Sequence, residues 1–470
     1  MRCRASCATQ GLPLPLTAHD QAARAIDPAE VLDRSRIGPL QIRVFVLCTL
    51  ALVMDGFDVQ ALGYAAPALR RELGLDATAL GSVFSAANFG VLLGSVGFSV
   101  VGDRIGRRPV LVWMTLFFGA ITLATAQAQT VTQLFWLRLV GGIGLGSIMP
   151  NATALVGEFS PAGRRVTLMM CITVGFTGGA AIGGFIAAAL IPAFGWRSVF
   201  YFGGVIPLAV GALMAIALPE SIQFLVVRRR QLDKVGRWLK AIDPQITLDA
   251  HTEFVAHERR RVGAPFVHLF TEGRAAATVL LWIVNFMNLL NLYALSNWLA
   301  TVVGGMGYDN RTAVLVSTTL QVGGVAGAFG LAWLISRRGF MMTMTGGFAI
   351  ATVTIFTIGQ PGVSLALLVA LIFVAGWCVV GGQGGLNAVE ATFYPTDLRS
   401  TGIGWALGIG RAGAIVGPYV GGMLITNQWT TQQLFMAAAV PALISTVTMV
   451  ALRFVIRDSI RRPNLRAAPS

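Results

Sequence analysis

Two aspartates stand three residues apart in a stretch that otherwise consists almost entirely of apolar side chains. Asp55 and Asp58 lie in the segment VMDGFDVQ at 53–60, with Gly56 between them. A spacing of i, i+3 places both carboxylates on one face of a helix, and the glycine permits close approach of another helix. If this helix spans a bilayer, each charged aspartate costs about 2.5 to 3.5 kcal/mol, so the pair indicates a function.

The chemistry that this pair predicts is the binding and release of protons. Burial disfavours the charged form of a carboxyl group, and a second carboxylate nearby disfavours it further. Asp55 and Asp58 are therefore candidate proton-coupling residues. The alternative is a static pair that is neutralised by basic residues of a neighbouring helix.

Two arginines, Arg138 and Arg411, also fall within apolar runs, where an unpaired cation is costly. A guanidinium can hold a carboxylate through two parallel hydrogen bonds, so either arginine is a candidate for binding an anionic substrate. Either can instead pair with Asp55 or Asp58 while the site is empty, or form a permanent salt bridge. Arg138 stands near one end of its run, so it can also extend its charge to the membrane surface.

The composition identifies the surroundings of these charges. Of the 470 residues, 55% are hydrophobic and 12% are charged, whereas soluble globular domains contain about 25% charged residues. The chain is therefore predicted to be an integral membrane protein in a lipid bilayer. Its net charge of +14 does not indicate a nucleic-acid partner, because the arginines stand in short connectors between apolar runs.

Motifs of enzymes and cofactor sites are absent or misplaced in the sequence. The segment GIGRAG at 408–413 matches a dinucleotide-binding pattern, but no strand precedes it and an apolar run surrounds it. There is no G-x-x-x-x-G-K-[ST] phosphate loop, no H-E-x-x-H metal motif and no CxxC pair among the five cysteines. We therefore predict that the protein is not an enzyme and uses no metal or cofactor.

Twelve apolar runs are long enough to cross a bilayer as helices, which takes about 20 residues. They cover 42–69, 77–101, 109–128, 131–157, 166–190, 196–218, 275–303, 312–335, 341–359, 363–389, 400–426 and 432–455. The longest polar interval divides them into two sets of six. The predicted organisation is an N-terminal segment at 1–38, a first half at 39–218, a central linker at 219–274, a second half at 275–456 and a C-terminal segment at 457–470.

The distribution of basic residues predicts the orientation of these helices. Only Arg70, Arg71, Arg197 and Arg311 fall in connectors on one side, while the other basic residues outside the spans fall on the opposite side. By the positive-inside rule, that opposite side and both termini are cytoplasmic. No apolar signal-peptide core stands near the start, so the N-terminal segment is expected to be retained and largely flexible.

The connector between the second and third spans contains the pattern GDRIGRRP at 102–109. It resembles the loop signature of the major facilitator superfamily, which implies a fold of twelve membrane helices in two six-helix halves. Acidic and basic residues at the ends of adjacent helices can form a charge cluster that stabilises one access state. The resemblance implies this gating role for Gly102, Asp103, Arg104, Arg107 and Arg108; the alternative is a simple cytoplasmic loop.

Longer segments narrow the family. DGFD at 55–58, RLVGGIGLGSIMPNATALVGEFSP at 138–161, NLLNLYALSNWL at 288–299 and GGQGGLNAVEATFYPTDLRSTGIGWALGIGRAGAIVGP at 381–418 together resemble the aromatic acid:proton symporters of bacteria. The sequence departs from their pattern at Ala300, where a proline often stands, and in its longer N-terminal extension. The resemblance implies a monomeric carrier of the bacterial inner membrane that imports a benzoate-like anion, such as 4-hydroxybenzoate, protocatechuate or gentisate, together with protons.

An aromatic anion needs flat apolar surfaces beside its ring and a few polar contacts. Besides Arg138 and Arg411, the spans offer Phe57, Tyr293, Asn297, Trp298, Gln383 and Asn387 as candidate substrate-binding residues. The alternative for each polar side chain is a contact between helices.

Two glutamates, Glu158 and Glu390, end the fourth and tenth spans on the predicted cytoplasmic side, and each precedes a proline and an arginine, Arg165 or Arg399. The resemblance implies a gating role for these four residues. The alternative for the glutamates is a solvated helix end.

Two other functions stay open at this point. The same architecture can carry another organic anion, such as a muconate or a sugar acid, or can export its substrate. The G-x-x-x-G-P spacing is associated with exporters when it occurs in the fifth span. Here it occurs in the eleventh span, at 413–418, and not in the fifth. A receptor that binds aromatic acids without net transport is an alternative of another class.

Overall fold

The computed structural model of the protein describes residues 25–243, 246, 253–255, 266–395 and 398–461, and this part of the chain is almost entirely helical. In chain order the helices are α1 (Pro28–Arg34), α2 (Pro39–Leu73), α3 (Ala77–Ile105), α4 (Arg107–Thr125), α5 (Val131–Phe159), α6 (Arg165–Phe194), α7 (Arg197–Ala217), α8 (Ile222–Val227), α9 (Leu232–Ile242), α10 (Ala275–Gly305), α11 (Asn310–Arg338), α12 (Phe340–Ile358), α13 (Leu365–Phe393), α14 (Arg399–Thr426) and α15 (Thr431–Arg461). Two strands of two residues, β1 (Ala25–Ile26) and β2 (Glu253–Phe254), and a short 3-10 helix at Phe266–Phe270 complete the described elements. The all-α fold predicted from the sequence is confirmed.

Ten of the long helices are apolar enough over their described residues to cross a membrane by length and composition. The other two long helices, α2 and α14, do not qualify alone, and α2 qualifies only when it is joined to α1 across a bend of 92°. These are the helices that contain Asp55, Asp58 and Arg411. Three of the four charged candidates for proton coupling and substrate binding therefore lie on helices that do not qualify alone, whereas Arg138 lies on α5, which does.

The helices pair in the same way in both halves. In the first half α2 packs on α6, α3 on α5 and α4 on α7; in the second half α10 packs on α14, α11 on α13 and α12 on α15. Each pair in the second half thus corresponds to a pair in the first half whose helices stand six positions earlier in the order of the twelve long helices. The main contacts between the halves join α3 to α14, α6 to α11 and α2 to α10.

Glycines allow α2 and α6 to approach each other at backbone distance. A Cβ atom at Gly56 would lie 1.8 Å from the carbonyl oxygen of Phe176, and a Cβ atom at Gly179 would lie 2.0 Å from that of Val53. Both distances are far below any van der Waals contact, so only glycine fits at either position. This close packing fixes the part of α2 that contains the two aspartates.

The two ends of the bundle differ in how the halves meet. We call the end where α3 passes into α4 the loop end, and the end where α2 passes into α3 the far end. Hydrogen bonds between the halves lie from the middle of the bundle to the far end: Gln60 Nε2 to Ser296 O at 2.5 Å, Ser85 Oγ to Ile415 O at 2.6 Å, Thr78 Oγ1 to Thr426 Oγ1 at 2.9 Å, and Arg71 to Asn310. No hydrogen bond between described residues joins the halves at the loop end, so the hydrogen-bonded contact between the halves covers the middle of the bundle and the far end.

The residues just before α2 are folded, although they belong to the segment 1–38 that was expected to be largely flexible. Asp27 caps α1 by accepting a hydrogen bond from the Ala29 N–H at 2.8 Å, and Leu32 is buried in the core of the first half. Asp33 forms an ion pair with Arg165 at 2.5 Å, and β1 pairs in parallel with β2 of the central linker. A helix cap, an apolar anchor and an ion pair together offset the entropy of ordering this segment. Residues 1–24 lie outside the described part.

We predict that Gly179→Ala destabilises the protein by about 1 to 3 kcal/mol, because the new methyl group overpacks the contact between α2 and α6. The adjacent Gly178 is the matched control, since nothing lies within 4 Å of a Cβ atom placed there. Gly178→Ala should leave stability equal or slightly higher, because alanine favours the helix. Thermal unfolding of the purified variants in detergent measures both effects, and equal unfolding temperatures for the two would contradict the described packing.

Candidate functional site

The Asp58 carboxylate forms a buried salt bridge inside the first half. Its Oδ2 atom lies 3.0 Å from Nη1 of Arg138, and the two side chains are 2% and 4% exposed. Thr122 donates a hydrogen bond to Asp58 Oδ1 at 2.8 Å, and Arg138 Nη2 donates to Thr125 Oγ1 at 3.1 Å. The salt bridge thus ties α2 to α5 with α4 beside it, and Arg138 does not extend to the membrane surface.

Asp55 has a different environment, although it lies on the same helix. Its side chain is 5% exposed, and no described residue donates a hydrogen bond to it. The charges that act on its carboxylate are those of Arg411, on the second half, and of Asp58. The two aspartates therefore have separate partners, because one faces α5 and the other interacts with α14.

Arg411 lacks an ion-pair partner among the described residues, since none of their carboxylates lies within 4.0 Å of it. Its Nη1 atom donates a hydrogen bond to the Tyr293 hydroxyl at 3.1 Å, and its side chain is half-buried. Tyr293 is the one candidate aromatic residue that contacts a candidate arginine in the described structure. A guanidinium held by a phenol and left without an anion is a chemically suitable site for a carboxylate ligand.

The other aromatic candidates pack elsewhere. Phe57 is buried in the first half, with its ring 5.4 Å from that of Phe202. Trp298 donates from Nε1 to the Pro418 carbonyl at 2.8 Å and meets Phe84 edge-to-face at 5.2 Å, which places it in the closed contact between the halves. Asn297 donates to the Tyr293 carbonyl of its own helix at 2.8 Å.

Gln383 and Asn387 belong to a network of amides between α10 and α13. Asn288 Nδ2 donates to Gln383 Oε1 at 2.8 Å, while Gln383 Nε2 donates to Asn285 Oδ1 at 3.2 Å and to Asn387 Oδ1 at 3.3 Å. Asn285 in turn donates to a carboxylate oxygen of Glu390. Asn285 is central to this network but was not a sequence candidate; its spacing of three from Asn288 is the signal that could have identified it.

The loop between α3 and α4 forms the predicted charge cluster on one half. Arg107 lies 3.7 Å from Asp103 and 3.0 Å from Glu158. Glu220, which sequence reasoning missed, accepts hydrogen bonds from the backbone N–H groups of Arg107 at 3.0 Å and Arg108 at 3.1 Å. It satisfies the first N–H groups of α4, and its position directly after the sixth apolar run is the only sequence signal for that role.

The remaining gating candidates are placed as follows. Arg108 donates to the Ala215 carbonyl at 2.5 Å, and a Cβ atom at Gly102 would lie 2.1 Å from Oδ1 of Asn151. Arg104 is exposed, and its carbonyl accepts a hydrogen bond from Arg228 at 3.4 Å. Arg165 binds Asp33, whereas Arg399 is exposed at the first residue of α14. Glu390 is fully buried, and no described arginine lies within ion-pair distance of it.

Comparison with known proteins assigns this architecture to a family. The family model of the Major Facilitator Superfamily matches residues 48–406 and 281–470. The 4-hydroxybenzoate transporter PcaK of Pseudomonas putida is 38% identical over 435 residues, which cover 92% of this chain and 97% of that protein. A gallate transporter of Pseudomonas putida is 35% identical over 427 residues, covering 91% of this chain and 95% of that protein.

The fold has a close counterpart among solved structures. The crystal structure of a bacterial homolog of the human lysosomal transporter Spinster, in an inward-facing and unoccupied conformation, matches with a TM-score of 0.69. The match covers 90% of this chain and 99% of that chain at 16% identity, so it bears on the fold alone. The chain therefore belongs to the major facilitator superfamily and is a membrane transporter rather than an enzyme.

Proposed function

We propose that the protein imports an aromatic carboxylate together with protons by alternating access. Its similarity to transporters of 4-hydroxybenzoate and gallate supports an aromatic acid as substrate. The observation that carries the proposal is Arg411, a cation in a membrane helix that is bound by Tyr293 but has no described anionic partner. A cation in such surroundings favours a directly paired anion, and a substrate carboxylate can supply that contact.

The loop end faces the cytoplasm in this proposal. The basic residues at the helix ends there, among them Arg104, Arg107 and Arg108, support that orientation by the positive-inside rule. The described state then releases substrate inward, and the functional unit is a monomer of the bacterial inner membrane with both termini inside. Return to the outward-facing state requires the halves to meet at the loop end.

Charge balance couples the substrate to the proton. Asp55, Asp58, Arg138 and Arg411 sum to zero net charge when the carboxylates are ionised. A bound substrate carboxylate would leave one uncompensated negative charge in the low-dielectric interior, and a proton on one aspartate removes it. We assign that proton to Asp55, because Asp58 is already held by Arg138 and Thr122.

The other candidates take supporting roles in the proposal. Tyr293 orients the Arg411 guanidinium, and the amides of Gln383 and Asn387 are available for polar groups of the substrate. Phe57, Asn297 and Trp298 support the site by packing. The cluster of Asp103, Arg107 and Glu158, capped by Glu220, holds the ends of α3, α4 and α5 together as one gating unit.

Uptake of labelled 4-hydroxybenzoate into proteoliposomes tests the function. We expect accumulation when the outside is more acidic than the inside, and collapse of that accumulation when a protonophore is added. Unlabelled benzoates should compete with the label, whereas muconate and sugar acids should not. Competition by aliphatic acids alone would assign the carrier to another organic anion, and stable binding without accumulation would favour a receptor.

Replacement of Arg411 should weaken substrate binding. A hydrogen bond to a charged group contributes about 1.5 to 3 kcal/mol, so Arg411→Gln should raise the KM for uptake by at least about 10-fold. The KM of Arg411→Lys should lie between those of the wild type and Arg411→Gln, because lysine keeps the charge but not the planar pair of donors. Arg453→Gln, which removes an exposed arginine of α15, is the control and should leave the KM unchanged. An unchanged KM for Arg411→Gln together with a raised KM for Arg138→Gln would move the substrate carboxylate to Arg138.

The two aspartates should respond differently to removal of their charge. Asp55→Asn should fold normally and still exchange internal for external substrate, but it should lose accumulation driven by a pH gradient. Asp58→Asn should lower stability by about 3 to 5 kcal/mol, because it leaves Arg138 as a buried charge without its partner. Exchange assays and thermal unfolding separate these results; full proton-driven accumulation by Asp55→Asn would contradict its assignment.

A further inference from the structure

Glu390 is a buried acid that the transport site does not use. It is 0% exposed and stands three residues before the end of α13, at the loop end. Its neighbours Leu386 and Val389 belong to a buried hydrophobic cluster that also includes Leu281 of α10. An isolated carboxylate in such surroundings is strongly disfavoured unless a cation or several hydrogen bonds compensate it.

The compensation that the structure provides is small. One carboxyl oxygen of Glu390 accepts a hydrogen bond from Asn285, while the other, Oε2, is buried without a partner. Asn285 is held in turn by Gln383, so a neutral amide network surrounds the carboxyl group. Glu158 near the end of α5 contrasts with it, because Arg107 lies 3.0 Å from its carboxylate.

The charged and titratable groups around Glu390 do not neutralise it. Tyr394 donates its hydroxyl proton to Thr278 at 3.3 Å, and Arg274, which precedes α10, pairs with Glu272 at 2.6 Å. Helix α12 has no ionisable residue. Among the side chains that the structure describes, the arginines near the loop end of the other neighbouring helices are exposed: Arg337 and Arg338 of α11, Arg399 of α14 and Arg453 of α15.

We propose that Glu390 is a second proton-binding site, separate from Asp55, and that it holds a proton while the loop end is open. The far end is closed by contacts between the halves, so this proton enters and leaves from the loop side. We infer that Glu390 binds this proton more tightly in the loop-end-open state than after the halves meet at the loop end, so that acid on the loop side stabilises the open state by linkage. The consequence for transport rests on the proposed alternating-access function, whereas protonation itself does not.

An infrared titration of the purified protein tests the site without substrate. We expect the wild type to show the carbonyl band of a protonated carboxylic acid at neutral pH that is missing from Glu390→Gln. Glu158→Gln is the matched control and should keep the band, because the Arg107 guanidinium at 3.0 Å favours the ionised form of Glu158. Asn285→Ser leaves the carboxyl group in place, so it should shift the band without removing it. Identical carbonyl regions in the wild type and Glu390→Gln at every pH at which both stay folded would overturn the proposal.

Uptake of 4-hydroxybenzoate into right-side-out membrane vesicles tests the consequence. Wild-type uptake should slow severalfold as the internal pH is lowered, because the protonated carrier returns more slowly to the outward-facing state. Glu390→Gln mimics the protonated form, so its uptake should be slow at every internal pH. An internal-pH dependence in Glu390→Gln equal to that of the wild type would contradict the linkage. Absence of uptake by the wild type would instead refute the proposed function, and the infrared result would still decide the protonation of Glu390.

Discussion

The cost of burying charge in an apolar bundle is the constraint on which the centre of this structure depends. The effective penalty is several kcal/mol per ion, and it is offset only when an opposite charge and hydrogen bonds are supplied in good geometry. Asp58 meets this requirement with Arg138 at 3.0 Å and with the Thr122 hydroxyl. To bring these groups together, α2 must lie against α4 and α5, and the glycine contact with α6 holds it from another side.

A different balance governs Asp55 and Arg411, which lie on opposite halves. They interact through space, but the arginine is hydrogen-bonded to Tyr293 and not to the aspartate. A fixed salt bridge between the halves would have to break each time they move relative to each other. Because Asp55 and Arg411 are not directly paired, the halves can move without breaking a salt bridge, and the guanidinium stays available to a ligand. The salt bridge inside the first half is fixed, whereas the charges on opposite halves can change partners.

The positions of the helices depend on local composition and could be predicted from the sequence. The contacts of their side chains depend on how each helix is oriented about its own axis and could not. The twelve helices followed from hydropathy and length, and the charges of Asp55, Asp58 and Arg411 were evident against apolar neighbours. Which arginine interacts with which aspartate was not evident, because residues at i and i+3 differ by about 60° around a helix, enough to face different neighbours.

Contacts between distant helices were equally out of reach. Trp298 was a candidate for contact with the substrate, and its packing between the halves could not be predicted because it depends on which end of the bundle is closed. Glu220 and Asn285 were missed because their roles appear only when helix ends and amides from separate segments meet. Hydrophobicity alone likewise gave no sign that Phe57 faces the interior of its own half.

The pairing of β1 with β2 has a consequence for how the two halves are connected. The segment between α7 and α10 is the covalent tether of the halves, and part of it is pinned to the chain just before α2 while α9 packs against the first half. The described parts of the tether up to Val255 are thereby anchored to the first half, whereas Phe266 packs against Trp282 and Trp405 of the second half. An insertion near α9 therefore lengthens a segment fixed to one half, whereas an insertion after Val255 lengthens the link between the two anchored parts.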